Sequence, residues 1–224
     1  MFRHETKLSK DQINNIVKRL NAGWIHDGNP ENPHAVLTSG LCSNAYFNVS
    51  RIASNPIAME GLAYNLMRKI LPRIGGEDIV VVGSAYAGII PSYMVALHLG
   101  ASHVYTEKGP KGEMVWTGRF SIPEDAYVLQ IEDLITTFKT TEAVRRTIIA
   151  GNKNPVKFCP FVGTIVHRPA KLPVEYFFDG EKIEIISLIE KEVWAVPQEE
   201  CPLCKQGSKR VKPKEHWSEL TNKS

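Results

Sequence analysis

The order of strand-like and helix-like segments predicts an α/β protein built on a parallel, twisted sheet with helices on both faces. Three observations carry the prediction. Short apolar runs such as Ile79–Val82 are continuous and β-branched, as strands covered on both faces should be. Each run leads through a turn into a segment of helical periodicity, so that strand, helix, strand recurs along the chain. The 224 residues are 43% hydrophobic, enough for one substantial core with a small appended piece.

Taken in order, "LSKDQINNIVKRLNAGWI" reads as a helix, with Ser9 as N-cap, Gln12 in capping-box position and apolar residues at 13, 16 and 20. "NPIAMEGLAYNLMRKILPRIG" reads as a second, with Pro56 in the first turn and Gly75-Gly76 beyond the end. The strand at Ile79–Val82 leads through the small-residue turn Gly83–Gly88 into a helix ending near Leu99. "SHVYT" and "AYVLQI" read as strands, a helix follows over Thr140–Ala150, and "FVGTIV" is one more strand. Ligands of such sheets bind where loops converge at the carboxyl ends of strands, so the loops after Val82, Ile131 and Val166 should share a crevice. No internal repeat stands out. The last 25 or so residues, rich in lysine and proline, read as a loosely structured appendage.

Composition narrows the class. A net charge of +3 makes no electrostatic case for nucleic acid or a membrane surface. No run approaches the roughly 18 apolar residues of a membrane span, and "MFRHETKLSKDQ" lacks the apolar core of a signal peptide. Cysteines at 42, 159, 201 and 204 make no disulfide framework in a chain this long, so the expected setting is cytoplasmic with reduced thiols. No G-x-G-x-x-G follows the first core strand, which disfavours a Rossmann dinucleotide binder.

The chemistry concentrates at "VLQIEDLITTFKTTEAV", where a strand runs into Glu132-Asp133. Two such carboxylates can accept from ribose hydroxyls or ligate magnesium. The hydroxyls and amides of Thr136 to Thr141, ahead of a helix, are suited to a phosphate. The plainer reading is a capping acid and a polar loop. Lysines in a turn such as Gly109–Gly112 are usually just solvated, an arginine following a strand is more often a surface residue, and Tyr46-Phe47 would more often be core.

The stretch "VLQIEDLITTFKT" resembles the diphosphate-sugar signature of the type I phosphoribosyltransferases. Five further stretches resemble the orotate branch of that family, in the same order: "VLTSGLCSNAYFNVS", "VVVGSAYAGIIPSYMVALHLGA", "YTEKGPKGEMVWTGRF", "VGTIVHRP" and "CPLCKQGSKRVKP". They run from about residue 10 to residue 213. The resemblance implies a phosphoribosyltransferase core over 56–195, an N-terminal helix and substrate-side hood over 1–55, and a tail over 196–224. It implies transfer of ribose 5-phosphate from magnesium-bound phosphoribosyl diphosphate (PRPP) to orotate, with no covalent nucleophile, by a homodimer. Glu132 and Asp133 would hold the ribose hydroxyls, Asp133 also countering positive charge as the glycosidic bond loosens. Thr136, Thr137, Lys139, Thr140 and Thr141 would surround the 5-phosphate. Amides of Ser84, Ala85 and Gly88 would face the diphosphate. Lys108 and Lys111 would stabilise departing pyrophosphate from a mobile loop. Arg168 would pair with the base carboxylate, and Phe47 and Tyr46 would pack on the base.

The chain also departs from the family pattern. Phe138-Lys139 replaces a glycine pair whose positive φ lets phosphate approach the backbone, and Lys139 would compensate with a cation. Glu113 stands near where some relatives carry histidine, and His167 replaces the acid before the substrate arginine, a change expected to alter base preference. Two rivals follow: a transferase for another base, and a non-catalytic PRPP- or nucleotide-binding regulator. Cys201 and Cys204 form a single C-x-x-C with His216 nearby and no evident fourth ligand, so no metal ligand is assigned.

Overall fold

The computed structural model describes residues 6–221; the first five residues of the polar N-terminal stretch and residues 222–224 of the tail lie outside the described residues. Helix α1 (Lys10–Arg19) starts with the expected capping box: Gln12 N donates to Ser9 Oγ, and Ser9 N to Gln12 Oε1. It buries Ile13 and Val17. Four short strands follow: β1 (Gly23–Ile25), β2 (His34–Val36), β3 (Cys42–Ser43) and β4 (Ala45–Phe47). A short α2 (Ser50–Ala53) leads to α3 (Pro56–Ile70), whose first turn is capped by Asn55 accepting from Ala58 N.

The core comprises β5 (Ile79–Gly83), α4 (Ile89–Leu99), β6 (Ser102–Tyr105), a hairpin of β7 (Glu107–Lys108) and β8 (Met114–Val115), β9 (Tyr127–Ile135), α5 (Lys139–Gly151), β10 (Lys157–His167), β11 (Tyr176–Phe178) and β12 (Glu181–Glu190). The sheet order is β11-β12-β10-β9-β5-β6, parallel throughout except for the antiparallel edge strand β11. Strand alternation sends Val81, Leu129 and Ile131 into one apolar cluster with α3 and α4, and Val80, Val82 and Val128 into another with Val144 and Ile148 of α5. At Gly163 a Cβ would stand 2.5 Å from Ile131 Cδ1 and 2.7 Å from Ile70 Cδ1, so glycine lets α3 seat on the sheet.

Three differences from the sequence reading have physical causes. Strand β9 does not stop before the acids but runs to Ile135, because β10 continues to pair with it through His167↔Ile135. The β11–β12 hairpin carries no strand signal in the sequence, because alternating charged residues hide a strand that is half-exposed. The C-terminal segment is not a loose appendage. Its β13 (Ala195–Val196) pairs with β3, a short α6 (Pro202–Lys205) follows, β14 (Arg210–Val211) pairs with β2, and α7 (Trp217–Leu220) is the last element among the described residues. Cys201, Leu203, Val211 and Leu220 are buried among its lysines, spaced too irregularly to be read as either periodicity.

Phe138 takes φ +66°, so the turn before α5 follows the left-handed path glycine would allow. That conformation costs a side-chain-bearing residue about 1–2 kcal/mol. Burial offsets it: the ring stacks on Tyr176 at 4.9 Å between centroids and joins Ile135, Val162, Phe178 and Ile183. Tyr176 also donates its hydroxyl to Thr136 O at 3.0 Å, tying the turn to the same cluster. The Phe138→Ala variant should lose about 3–5 kcal/mol in urea unfolding. Phe138→Gly removes the same ring but relieves the backbone, and should be more stable than Phe138→Ala by about 1–2 kcal/mol. The reverse order would show that φ +66° is not strained here.

Candidate active site

The chain reverses its direction of building at β5: β6 lies on one side and β9 on the other, the arrangement that opens a crevice at strand tips. The pairing of β5 with β9 ends at Gly83↔Ile131, whereas β9 stays paired with β10 to Ile135. Residues 132–135 therefore border a notch on the β5 side. The turn from Ser84 to Gly88 enters this notch, tightly wound: a Cβ on Gly88 would lie 2.6 Å from Ser84 Oγ and 2.9 Å from its amide nitrogen. The Ala85–Tyr86 peptide in this turn is cis.

Glu132 is 1% exposed. Ser84 Oγ donates to its Oε2, and Gln130 Nε2 to its Oε1 at 2.7 Å. Gln130 in turn accepts from Arg145 Nε at 3.3 Å, and Arg145 donates to Cys159 O at 3.1 Å while its guanidinium lies over the Phe158 ring. Sequence reading missed Gln130 and Arg145. Their only signal was a polar residue inside an apolar strand and an arginine on the apolar face of a helix. Burial pushes the Glu132 carboxyl up to about 7, the nearby Asp133 charge adding to it, against the opposing bonds from Ser84 and Gln130 and the charge of Lys108.

Because β9 continues, alternation sends the two acids to opposite faces. Asp133 turns toward β4 and shares a cavity of about 420 Å³ with Tyr46, Phe47, Arg168 and Lys214. Burial raises its pKa, partly countered by backbone hydrogen bonds and the Arg168 charge. Arg168 is half-buried, and its Nε has no hydrogen-bond partner among the described residues. Such a cation favours an anionic ligand. The two aromatics divide their roles: Phe47 is also packed into the main core, and Tyr46 against Trp217 at 6.1 Å.

The expected phosphate residues converge only in part. Thr137, Lys139 and Thr140 are exposed at the open start of α5, which no side chain caps, and Thr136 is half-buried beside them. Thr141 is buried, its carbonyl accepting from Gln130. Lys108 lies close enough to act on the Glu132 charge. Lys111 is instead exposed at the tip of the β7–β8 hairpin, where Glu113 accepts from its backbone amide at 2.9 Å. His167 does not join Arg168. Alternation turns its ring to Glu190 (2.8 Å) and the Tyr176 hydroxyl (3.2 Å), away from the cavity, so the expected effect on base preference has no contact to act through. His216 likewise stands apart from the C-x-x-C pair, which meets His34 and Cys42.

The buried carboxyl has a measurable consequence. Between its ordinary value of 4.5 and about 7, the folded protein keeps a proton that the unfolded chain releases, so stability falls as pH rises through this window. The loss should amount to about 3 kcal/mol and level off above pH 7. Glu132→Gln should flatten that slope in urea titrations at pH 5, 6, 7 and 8, leaving the smaller dependence from Asp133. An unchanged slope would show that Glu132 ionises freely.

No family model matches the chain. The orotate phosphoribosyltransferase of Thermoanaerobacter sp. (strain X514) is 32% identical over 209 residues, which cover 92% of this chain and 97% of the relative. That of Pelotomaculum thermopropionicum is 36% identical over 187 residues, 80% of this chain and 87% of the relative. The crystal structure of Mycobacterium tuberculosis H37Rv orotate phosphoribosyltransferase overlays with a TM-score of 0.57 at 16% identity, over 81% of this chain and 95% of that one, a likeness of fold. With a relative of that identity matched nearly end to end, and the acids, tight turn and arginine gathered at the strand tips, the chain belongs to the orotate phosphoribosyltransferase family.

Proposed function

We propose that this chain transfers ribose 5-phosphate from PRPP to orotate, giving orotidine 5-phosphate and pyrophosphate. One observation carries the choice of base: a half-buried Arg168 with an unpartnered Nε lines the cavity beside Asp133. A planar base bearing a carboxylate would pair with that guanidinium and lie against Tyr46 and Phe47. The ribose would rest at the notch, its hydroxyls donating to Asp133, while Glu132 holds the Ser84 turn against β9 from inside. The phosphate arm would lie at the uncapped start of α5, among Thr136, Thr137, Lys139 and Thr140, with Thr141 shaping the turn from inside. The diphosphate would meet the Ser84–Gly88 turn.

As the bond from the anomeric carbon to the diphosphate breaks, positive charge grows on the ribose and negative charge on the leaving group. Asp133 counters the first, and Lys108 and Lys111 counter the second. For Lys111 this requires the β7–β8 hairpin to fold toward the notch, or toward a neighbouring subunit's notch. A homodimer suits this, and the exposed Tyr86, Ile90 and Tyr93 at the start of α4 offer it an apolar surface. Asp133 offers a carboxylate at the strand tip, which fits a magnesium ion that takes most of its oxygen ligands from substrate phosphates. Bound to the diphosphate, it would neutralise leaving-group charge. No helix among the described residues is long and apolar enough to cross a membrane. Soluble phosphorylated substrates and four free cysteines support a cytoplasmic setting. Burial of the Phe138 ring away from the turn removes the main argument for a non-catalytic regulator.

Steady-state pyrophosphate release with orotate, uracil and adenine tests the assignment. Orotate should be strongly preferred, and Arg168→Met should lower kcat/KM for orotate by about 30- to 1,000-fold, the equivalent of 2–4 kcal/mol. Equal turnover of uracil would remove the role of Arg168. Lys111→Ala should leave the melting temperature unchanged and lower kcat by about 100-fold or more. An unaltered kcat would confine the lid role to Lys108.

A further inference from the structure

Away from the strand tips, four side chains converge from distant parts of the chain. Cys42 lies on β3, His34 on the adjacent β2, Cys201 caps the start of α6 and Cys204 lies within it, in the C-terminal segment. One ligand atom from each lies within 4.8 Å of all the others. We propose that His34, Cys42, Cys201 and Cys204 form a closed site for a structural zinc ion that fastens the C-terminal segment onto the hood.

The spacing is that of a coordination shell. Zinc–sulfur bonds of about 2.3 Å and zinc–nitrogen bonds of about 2.0–2.1 Å, at tetrahedral angles, separate two sulfurs by about 3.8 Å and sulfur from nitrogen by about 3.5–3.6 Å. Here Cys42 Sγ is 3.7 Å from Cys204 Sγ, and His34 Nε2 is 3.6 Å from Cys201 Sγ and 3.4 Å from Cys204 Sγ. The imidazole is held in the right tautomer. Ser208 spends its hydroxyl proton on Asn32 O at 2.7 Å, so it can only accept from His34 Nδ1–H at 2.8 Å. The Nε2 lone pair is then left facing the sulfurs, as second-shell partners of metal-bound histidines arrange. The C-x-x-C turn is preformed as well, with Cys204 N donating to Cys201 Sγ at 3.4 Å.

The donor set selects the ion. Three soft thiolates and one imidazole suit zinc and reject magnesium or calcium. Four protein ligands fill a tetrahedron, leaving no position for water or substrate, which marks a structural rather than a catalytic centre. His34, Cys42 and Cys201 are fully buried, so the ion would be shielded. Binding would release the thiol protons to solvent. The ion would join residues 162 positions apart, where β14 and β13 already pair with β2 and β3. Lys214 and Trp217 follow in the same segment, Lys214 lining the Asp133–Arg168 cavity and Trp217 packing on Tyr46 and Arg51.

The full chain, grown with supplementary zinc and purified under reducing conditions without chelator, tests this by elemental mass spectrometry. One zinc per chain is expected, with loss in Cys42→Ser and Cys201→Ser. Because those variants can misfold, the wild-type chain is also stripped and refilled with cobalt(II). Intense visible ligand-field bands together with near-ultraviolet thiolate charge transfer are expected, absent after cysteine alkylation. Substoichiometric zinc with no charge-transfer band would overturn the proposal. So would an intact mass lower by two hydrogens with Cys42 and Cys204 recovered in one disulfide-linked peptide. Neither readout depends on transferase activity.

Discussion

A carboxylate enclosed in protein must be hydrogen-bonded or neutralised, and Glu132 organises this molecule around that constraint. Its two oxygens receive Ser84 and Gln130, which joins the turn after β5 to the middle of β9. Gln130 passes the constraint on to Arg145 of α5, a buried cation that burial draws down to about 10. Three elements around the notch are thereby held by one polar chain. The tight turn, the strand tip and α5 keep their mutual spacing because each of these groups would otherwise be buried without a partner.

The extension of β9 past the acids alters what two adjacent carboxylates mean. Had the strand ended at Ile131, both could turn toward one ligand. Paired to β10 as far as Ile135, they face opposite sides, one internal and one beside Arg168. Glu132 thus acts first through its neighbours, while Asp133 is open to the cavity. The same alternation separates His167 from Arg168 and assigns it to the cluster around Tyr176.

That cluster also accounts for the missing glycine. Phe138 keeps the left-handed backbone, and its ring finds burial against Tyr176 behind the turn. A strained conformation persists when its surroundings over-determine it. Here Tyr176 does so twice, by stacking on the ring and by bonding the carbonyl of Thr136.

The parallel sheet, its two helical faces and the crevice at the tips of three strands were legible from runs such as Ile79–Val82 and from the capping of α1 and α3. Those signals are local, set by propensity and periodicity within a dozen residues. The hydroxyl-rich turn and the acid pair were legible for the same reason. What the tertiary structure alone decided depends on pairing between remote segments. The length of β9 is set by β10, the partners of Glu132 lie on two other elements, and the order of the C-terminal segment comes from β2 and β3. Cys201 and Cys204 looked like half of a site because their companions, His34 and Cys42, lie more than 150 residues earlier, and spacing along a chain carries no information about which distant strands fold against each other.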